Sequence, residues 1–171
     1  MGMNLILCGM MGSGKTTIGK ELAKSTGWRL CDTDGIIVER HGKIADIFAT
    51  HGEGYFRDLE TSVAKELAEE NGLVISTGGG LVLRQENVEA LQKNGKIIFL
   101  RATIETLIKR LQSDGERPLL HSTAEGLEEK LTRLLQARTA VYERAADCVV
   151  DVDGKTPEQI AAEILAAIAA K

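Results

Sequence analysis

The chain has 171 residues, of which 43% are hydrophobic and 27% charged, and its formal net charge is −4. The length fits one globular domain better than two, and the acidic balance argues against broad nucleic-acid binding, which requires a dense basic surface. No stretch approaches the roughly 20 apolar residues of a membrane-spanning helix, and the first residues lack the pattern of a secretory signal. We therefore expect a single cytoplasmic domain over residues 1–171 with no nucleic-acid or membrane partner.

Three cysteines, Cys8, Cys31 and Cys148, are widely spaced and form no CxxC or Cys/His cluster. An odd number of scattered cysteines is typical of an intracellular protein and not of a disulfide framework or a zinc site. We interpret them as small apolar residues buried in the core.

In chain order, short apolar runs alternate with segments of helical periodicity. The runs predict five strands, near residues 4–8, 28–32, 73–77, 96–100 and 148–152. The intervening segments predict a helix from about Lys15 that stops at Gly27, two helical pieces broken near Gly52 and Gly54, and helices over 103–112 and 127–146. Thr156 and Pro157 predict the start of the last helix.

The predicted strands are continuous apolar runs that do not alternate with polar residues. This pattern is typical of parallel strands that are buried on both faces. We therefore predict an α/β fold with three layers, α/β/α, around a five-stranded parallel sheet.

Residues 9–16, GMMGSGKT, match the phosphate-binding pattern G-x-x-x-x-G-K-[ST] at every fixed position. Glycines let the backbone curl so that successive N–H groups point into one cavity, and the following helix aims its positive end at the same place. Lys15 would supply a charge to the β- and γ-phosphates, and the Thr16 hydroxyl would ligate Mg²⁺. A strand precedes the motif and a helix follows it, which favours nucleotide binding over a chance match.

Two acids, Asp32 and Asp34, come at the end of the second predicted strand. Residues i and i+2 of a strand share one side, so both carboxylates would face the phosphate site. One would serve magnesium, and the other would orient an alcohol or accept its proton. The alternative is that an aspartate simply caps a following helix.

Arginines and glycines supply the remaining candidates. Arg57 and Arg138 suit a small carboxylate ligand, although position alone also fits surface charges. The run Gly78-Gly79-Gly80 at the end of a buried strand would place bare N–H groups beside a ligand, or would merely form a tight turn. Arg117 lies in a polar loop that suits a lid, from which it would reach the transferring phosphoryl group while water is excluded.

This ordered set resembles the shikimate kinase family, within the nucleoside-monophosphate-kinase-like group of P-loop folds. The resemblance is carried by GMMGSGKTTIGKELA, DTD, IADIFATHGEGYFRDLE with its F-R-x-x-E pattern, STGGG, RPLL, the R-x-x-x-Y spacing from Arg138 to Tyr142, and TPEQIA. It implies phosphorylation of the 3-hydroxyl of shikimate by ATP with Mg²⁺ as cofactor. It also implies a monomer with acceptor-binding helices within 33–61 and a mobile lid over 112–124.

The resemblance also implies roles for individual residues. Lys15, Asp34 and Arg117 would be catalytic, and Thr16 would bind Mg²⁺ directly with Asp32 acting through water. Shikimate would contact Asp34, Arg57, Gly78, Gly79, Gly80 and Arg138. ATP would contact Gly12, Ser13, Gly14, Lys15, Thr16, Thr17, Arg110, Arg117, Lys155 and Pro157. Lys155 stands where relatives often carry arginine.

Two other functions fit parts of the pattern. A different small-molecule P-loop kinase, such as a gluconate kinase, would also bind a carboxylate and hydroxyls. A nucleotide-binding module without catalysis would need the phosphate loop but would have no use for Lys15, Asp34 and Arg117 together.

Overall fold

The computed structural model describes residues 3–114 and 126–170. Its centre is a five-stranded parallel sheet in the order β2-β3-β1-β4-β5, so the predicted fold class is confirmed. Each observed strand lies within a residue of its predicted bounds at either end. The strands are β1 (Asn4–Cys8), β2 (Arg29–Asp32), β3 (Leu73–Ser76), β4 (Gly95–Arg101) and β5 (Cys148–Asp151).

Eight helices connect and cover the described strands. They are α1 (Lys15–Thr26), α2 (Thr33–His41), α3 (Ile44–His51), α4 (Glu53–Ala68), α5 (Gln85–Gln92), α6 (Ile104–Asp114), α7 (Leu127–Ala145) and α8 (Pro157–Ala169). The predicted stop at Gly27 and the predicted break at Gly52 are confirmed. The element pattern did not predict α2 or α5, and α6 continues two residues into the predicted polar loop.

The predicted lid over 112–124 begins in the last turn of α6. Apart from that turn, its residues, Arg117 among them, lie outside the part of the chain that the structure describes.

Two residues of β1 that point to opposite faces, Leu7 and Asn4, show that helices cover both faces of the sheet. On one face, Gly19 of α1 approaches the side chains of Leu7 and Leu30 so closely that a Cβ would lie 2.8 Å from the Leu30 side chain. On the other, the Asn4 side chain donates to the carbonyl of Leu67 in α4. Successive side chains of a strand point to opposite faces, so the three-layer arrangement follows.

Asn4 also secures the amino end of the sheet. Its Oδ1 accepts from the Leu73 amide at 3.0 Å and its Nδ2 donates to the Glu70 carbonyl at 2.9 Å, although the residue is only 1% exposed. A buried amide that satisfies three backbone groups links β1, β3 and α4 at the edge where these strands begin.

The opposite edge collects the polar motifs. The phosphate loop follows β1, Asp32 ends β2, and the glycine run follows Ser76 at the end of β3. Asp32 is paired in register with Ser76, and the Thr77 amide and hydroxyl both donate to the Leu7 carbonyl. Parallel pairing therefore brings three segments distant in sequence to one edge.

Cys8 is fully buried as predicted, whereas Cys31 and Cys148 are only half-buried, and none of the three is in a disulfide. Burial raises the pKa of the Cys8 thiol to about 12 although the nearby Lys15 lowers it, so this thiol stays protonated at physiological pH. Within residues 3–114 and 126–170, no helix is long and apolar enough to cross a membrane.

Candidate active site

A cleft of about 1210 Å³ opens at the carboxyl edge of the sheet. It brings together most of the residues that the sequence predicted as a site. Those that line it are Gly12, Gly14, Lys15, Thr16, Thr17, Asp32, Asp34, Arg57, Gly78, Gly79, Gly80, Arg110, Arg138 and Pro157.

The phosphate loop has the curled backbone that its glycines predict. Gly12 and Gly14 have φ of +86° and +94°, values that favour glycine, and α1 begins directly after Gly14. Lys15 Nζ donates to the carbonyl of Gly9 at 2.6 Å and to that of Met10 at 3.2 Å. The lysine ammonium therefore lies against the phosphate loop, which leads directly into α1.

Arg110 reaches the phosphate loop from α6. Its guanidinium donates to the Ser13 carbonyl at 2.7 Å, and a Cβ on Gly14 would lie 2.6 Å from the Arg110 Nη1 atom. Gly14 thus has two reasons to be glycine, its backbone angle and this close approach. Ser13 itself is fully buried and does not line the cleft, and its amide donates to the Met10 carbonyl at 3.1 Å.

The reason given for pairing Asp32 with Asp34 is wrong, because the strand ends at Asp32 and α2 starts at Thr33. Asp32 Oδ1 accepts from the amides of Asp34 and Gly35 at 3.0 and 3.3 Å, so this carboxylate caps the helix. Both aspartates nevertheless line the cleft, since Asp34 lies in the first turn of α2. The helix-cap alternative is therefore correct for Asp32 without removing it from the site.

The glycine run leaves space for three side chains that the sequence predicts to bind the substrate. A Cβ on Gly78 would lie 2.5 Å from Asp34 Oδ1, one on Gly79 would lie 3.1 Å from Arg138 Nη1, and one on Gly80 would collide with the Arg57 guanidinium. None of the three glycines has a positive φ, so the backbone does not require them. They are needed because side chains from α2, α4 and α7 occupy the positions where their own would stand.

The amides of this run differ in their partners. The Gly78 amide donates to the Thr33 hydroxyl at 2.9 Å. The amides of Gly79 and Gly80 donate to no group within residues 3–114 and 126–170. Both glycines lie at the wall of the cleft, where the sequence predicts bare N–H groups beside a ligand.

Arg57 is held by a carboxylate that the sequence analysis left without a role. Its Nη1 is 2.7 Å from Glu60 Oε1, and its Nη2 is 3.3 Å from Glu53 Oε2. The side chain of Arg57 is 18% exposed and that of Glu60 only 1%. Arg57 is thus not a solvated surface charge. The F-R-x-x-E pattern contained this signal, because residues three apart on a helix are neighbours.

Glu60 has a raised pKa, chiefly because it is buried, and the negative charge of Asp34 adds to this effect. The positive charges of Arg57 and Arg138 act in the opposite direction. Two carboxylates and two guanidiniums therefore share this end of the cleft. The sequence analysis also missed the apolar wall beside them, which includes Ile44 and the buried Phe56.

Lys155 does not line the cleft. Its ammonium pairs with Glu163 of α8 at 2.7 Å, while Gly154 and Pro157 on either side of it do face the cleft. The Thr156 hydroxyl accepts from the Gln159 amide, which confirms the predicted cap of the last helix.

The family profile described as shikimate kinase matches residues 11–169. A shikimate kinase of Thermodesulfovibrio yellowstonii is 42% identical over 163 residues, which cover 95% of this chain and 92% of that protein. The chain belongs to the shikimate kinase family. The family resemblance inferred from the motifs is thereby confirmed, and with it the prediction of a kinase.

Solved structures of the shikimate kinase family have the same fold. A shikimate kinase from Acinetobacter baumannii in complex with shikimate superposes with a TM-score of 0.89 at 36% identity, covering 98% of this chain and 93% of that one. A gluconokinase from Sinorhizobium meliloti gives a TM-score of 0.60 at 19% identity, covering 98% and 92% of the two chains. The second likeness shows the fold alone.

We predict that Gly80→Ala weakens acceptor binding and leaves folding almost unchanged. The new methyl group would displace the Arg57 guanidinium, the flexible end of a side chain, while the φ of −101° at Gly80 suits alanine. We expect KM for the acceptor to rise by about tenfold or more, as for a lost charge-assisted contact. Gly54→Ala is the matched control, since nothing lies within 4 Å of its Cβ position. Equal effects of the two substitutions would contradict the steric explanation.

We predict a pH-dependent difference in stability between the wild type and Glu60→Gln. Because burial raises the pKa of Glu60 above its ordinary 4.5, the unfolded chain loses this proton at a lower pH than the folded one. The wild type's free energy of unfolding, relative to the variant's, should fall as pH rises from about 4.5 to the folded-state pKa, and then stay level. Urea denaturation of both proteins over a pH series measures this difference in the free energy of unfolding. A relative rise with pH below about 4.5 would mean that Arg57 outweighs burial, because the pKa of Glu60 would then be lower in the folded chain than in the unfolded one.

Proposed function

We propose that this chain transfers the γ-phosphoryl group of ATP to the 3-hydroxyl of shikimate, giving shikimate 3-phosphate and ADP on the route to chorismate and the aromatic amino acids. The supporting observation is that one cleft contains a phosphate loop and, across from it, two arginines and an aspartate that converge on three glycines. The shikimate complex of the Acinetobacter baumannii relative supports the choice of acceptor.

ATP would lie along the loop over Gly12–Thr17. The α1 amides and Lys15 would hold its phosphates, and Arg110 would reach them from the α6 side. Adenine would lie toward the loop before α8, where Gly154 and Pro157 face the cleft. We propose that this contact is made by the loop itself and not by the Lys155 ammonium, which is paired with Glu163.

Magnesium suits the donors present in the cleft. The Thr16 hydroxyl and the Asp32 carboxylate are both exposed there, and only Oδ1 of Asp32 is used in capping α2. Mg²⁺ commonly keeps several waters and takes few protein oxygens besides those of the phosphates, so two such donors are enough. We propose direct ligation by Thr16 and a water-mediated contact from Asp32. The ion would neutralise charge on the phosphates.

Shikimate would bind at the glycine run. The guanidiniums of Arg57 and Arg138 would hold its carboxylate, and the amides of Gly79 and Gly80 would donate to its oxygens. Asp34 would orient the hydroxyl that attacks and would accept its proton. Ile44 and Phe56 offer an apolar surface for the carbon ring.

The lid and Arg117 belong to the same proposal. Arg117 would stabilise charge on the migrating phosphoryl group, and closure would exclude water as a competing acceptor. We further propose that residues 1–171 act as one monomeric, cytoplasmic domain.

The decisive experiment measures ADP release with shikimate, quinate, gluconate and nucleoside monophosphates as separate acceptors. We expect turnover with shikimate and little with the others, because only shikimate combines a planar ring carboxylate with the expected hydroxyl. Turnover with gluconate but not shikimate would favour a sugar-acid kinase. Tight ATP binding without turnover of any acceptor would favour a nucleotide-binding module.

Asp34→Asn should lower kcat by about 10²–10⁴-fold, the range for loss of a general base. ATP affinity should stay within about twofold, since Asp34 faces the glycine run. Asp46→Asn is the control, because Asp46 is an exposed aspartate on α3 that does not line the cleft. A near-normal kcat for Asp34→Asn would remove it from the chemistry.

A further inference from the structure

Tyr142 lies on the same side of α7 as Arg138, one helical turn later. Residues four apart on a helix are neighbours, so a single face of α7 carries both side chains toward the glycine run. Arg138 is half-buried at the cleft, whereas Tyr142 is completely buried behind it. The R-x-x-x-Y spacing therefore places a phenol directly behind the wall that Arg138 lines.

The phenol makes a short hydrogen bond to that wall and also interacts with the Arg138 side chain. Its hydroxyl donates to the Gly79 carbonyl at 2.6 Å, and it lies 4.0 Å from the Met10 sulfur in the phosphate loop. The ring packs against Phe99 of β4 with 5.0 Å between ring centroids. Tyr142 is thus fixed by the core on one side and fixes a glycine carbonyl on the other.

The carbonyl of Gly79 and the N–H of Gly80 belong to one planar peptide unit. Holding the carbonyl by a hydrogen bond consequently sets the direction of that N–H. Glycine residues restrict the backbone least, so a run of three leaves this peptide free to rotate unless a neighbour holds it. The Gly80 N–H has no acceptor among the described residues and belongs to the cleft wall.

We propose that Tyr142 is a positioning residue for the acceptor: its hydroxyl orients the Gly79–Gly80 peptide so that the Gly80 N–H points at the bound hydroxy-acid. This inference rests on the proposed function. Tyr142 then contributes to the affinity for the acceptor and not to the affinity for the nucleotide. A tyrosine that served only to fill the core would affect stability alone.

Tyr142→Phe tests the proposal, because it removes the hydroxyl and keeps the ring against Phe99. KM for shikimate should rise about tenfold, the effect of losing one oriented hydrogen bond, while KM for ATP stays within about twofold. The rise in melting temperature that shikimate produces should become smaller in the variant, whereas the rise produced by ATP should stay the same. Asn4→Ala is the control for lost stability, since it breaks buried hydrogen bonds at the opposite edge of the sheet.

Amide hydrogen exchange on the wild-type protein gives a second test that needs no variant. Shikimate should slow exchange at Gly80, and ATP alone should not. Unchanged exchange at Gly80 with shikimate bound would overturn the proposal, as would a KM for shikimate that Tyr142→Phe leaves unaltered or that Asn4→Ala raises equally. A wild-type protein that does not phosphorylate shikimate would instead contradict the proposed function.

Discussion

The absence of side chains at Gly78, Gly79 and Gly80 is the constraint on which the acceptor end of the cleft depends. Asp34, Arg138 and Arg57 come from three different helices, and each occupies the space next to one of these glycines. The glycines follow β3, which parallel pairing with β1 holds beside the strand that leads into the phosphate loop. The distance between the phosphate loop and the glycine run is therefore determined by the register of the sheet.

Charge balance explains how two guanidiniums can converge in a partly buried space. Arg57 and Arg138 would repel each other and would lose hydration, which disfavours two cations without compensation. The carboxyl group of buried Glu60 pairs with Arg57 at 2.7 Å, and Asp34 contributes a second carboxyl group nearby. Under the proposed function, an anionic ligand would add the remaining counter-charge. In this arrangement Glu60 keeps Arg57 oriented.

The phosphate loop could be predicted from the sequence because all of its parts lie within one short segment, where backbone angles and the following helix decide the geometry. The sheet could be predicted equally well, since continuous apolar runs identify buried parallel strands. The shared-strand argument for Asp32 and Asp34 was wrong because it extended the strand through both of them, although both do line the cleft. The capping bonds that Asp32 makes to the amides of Asp34 and Gly35 instead begin a helix there, and no strand periodicity contains that information. Lys155 was assigned from the family resemblance, whereas its pairing with Glu163 is seen only in the folded chain.

Glu60 and Tyr142 show a further limit of sequence reasoning, since both lay inside spacings that were already noted. In each case the more exposed arginine attracted the functional interpretation, and the buried residue one turn away on the same helix did not. A buried carboxylate beside an arginine and a buried phenol beside a glycine carbonyl acquire meaning only through distances of 2.7 and 2.6 Å that tertiary packing creates. The same arrangement occurs on α4 and on α7. On each helix an arginine faces the cleft, and a buried neighbour on the same helix holds a group of the cleft wall in place. Precision at the acceptor site thus comes from the layer behind the contact residues, as hydrogen-bonded support of a binding wall requires.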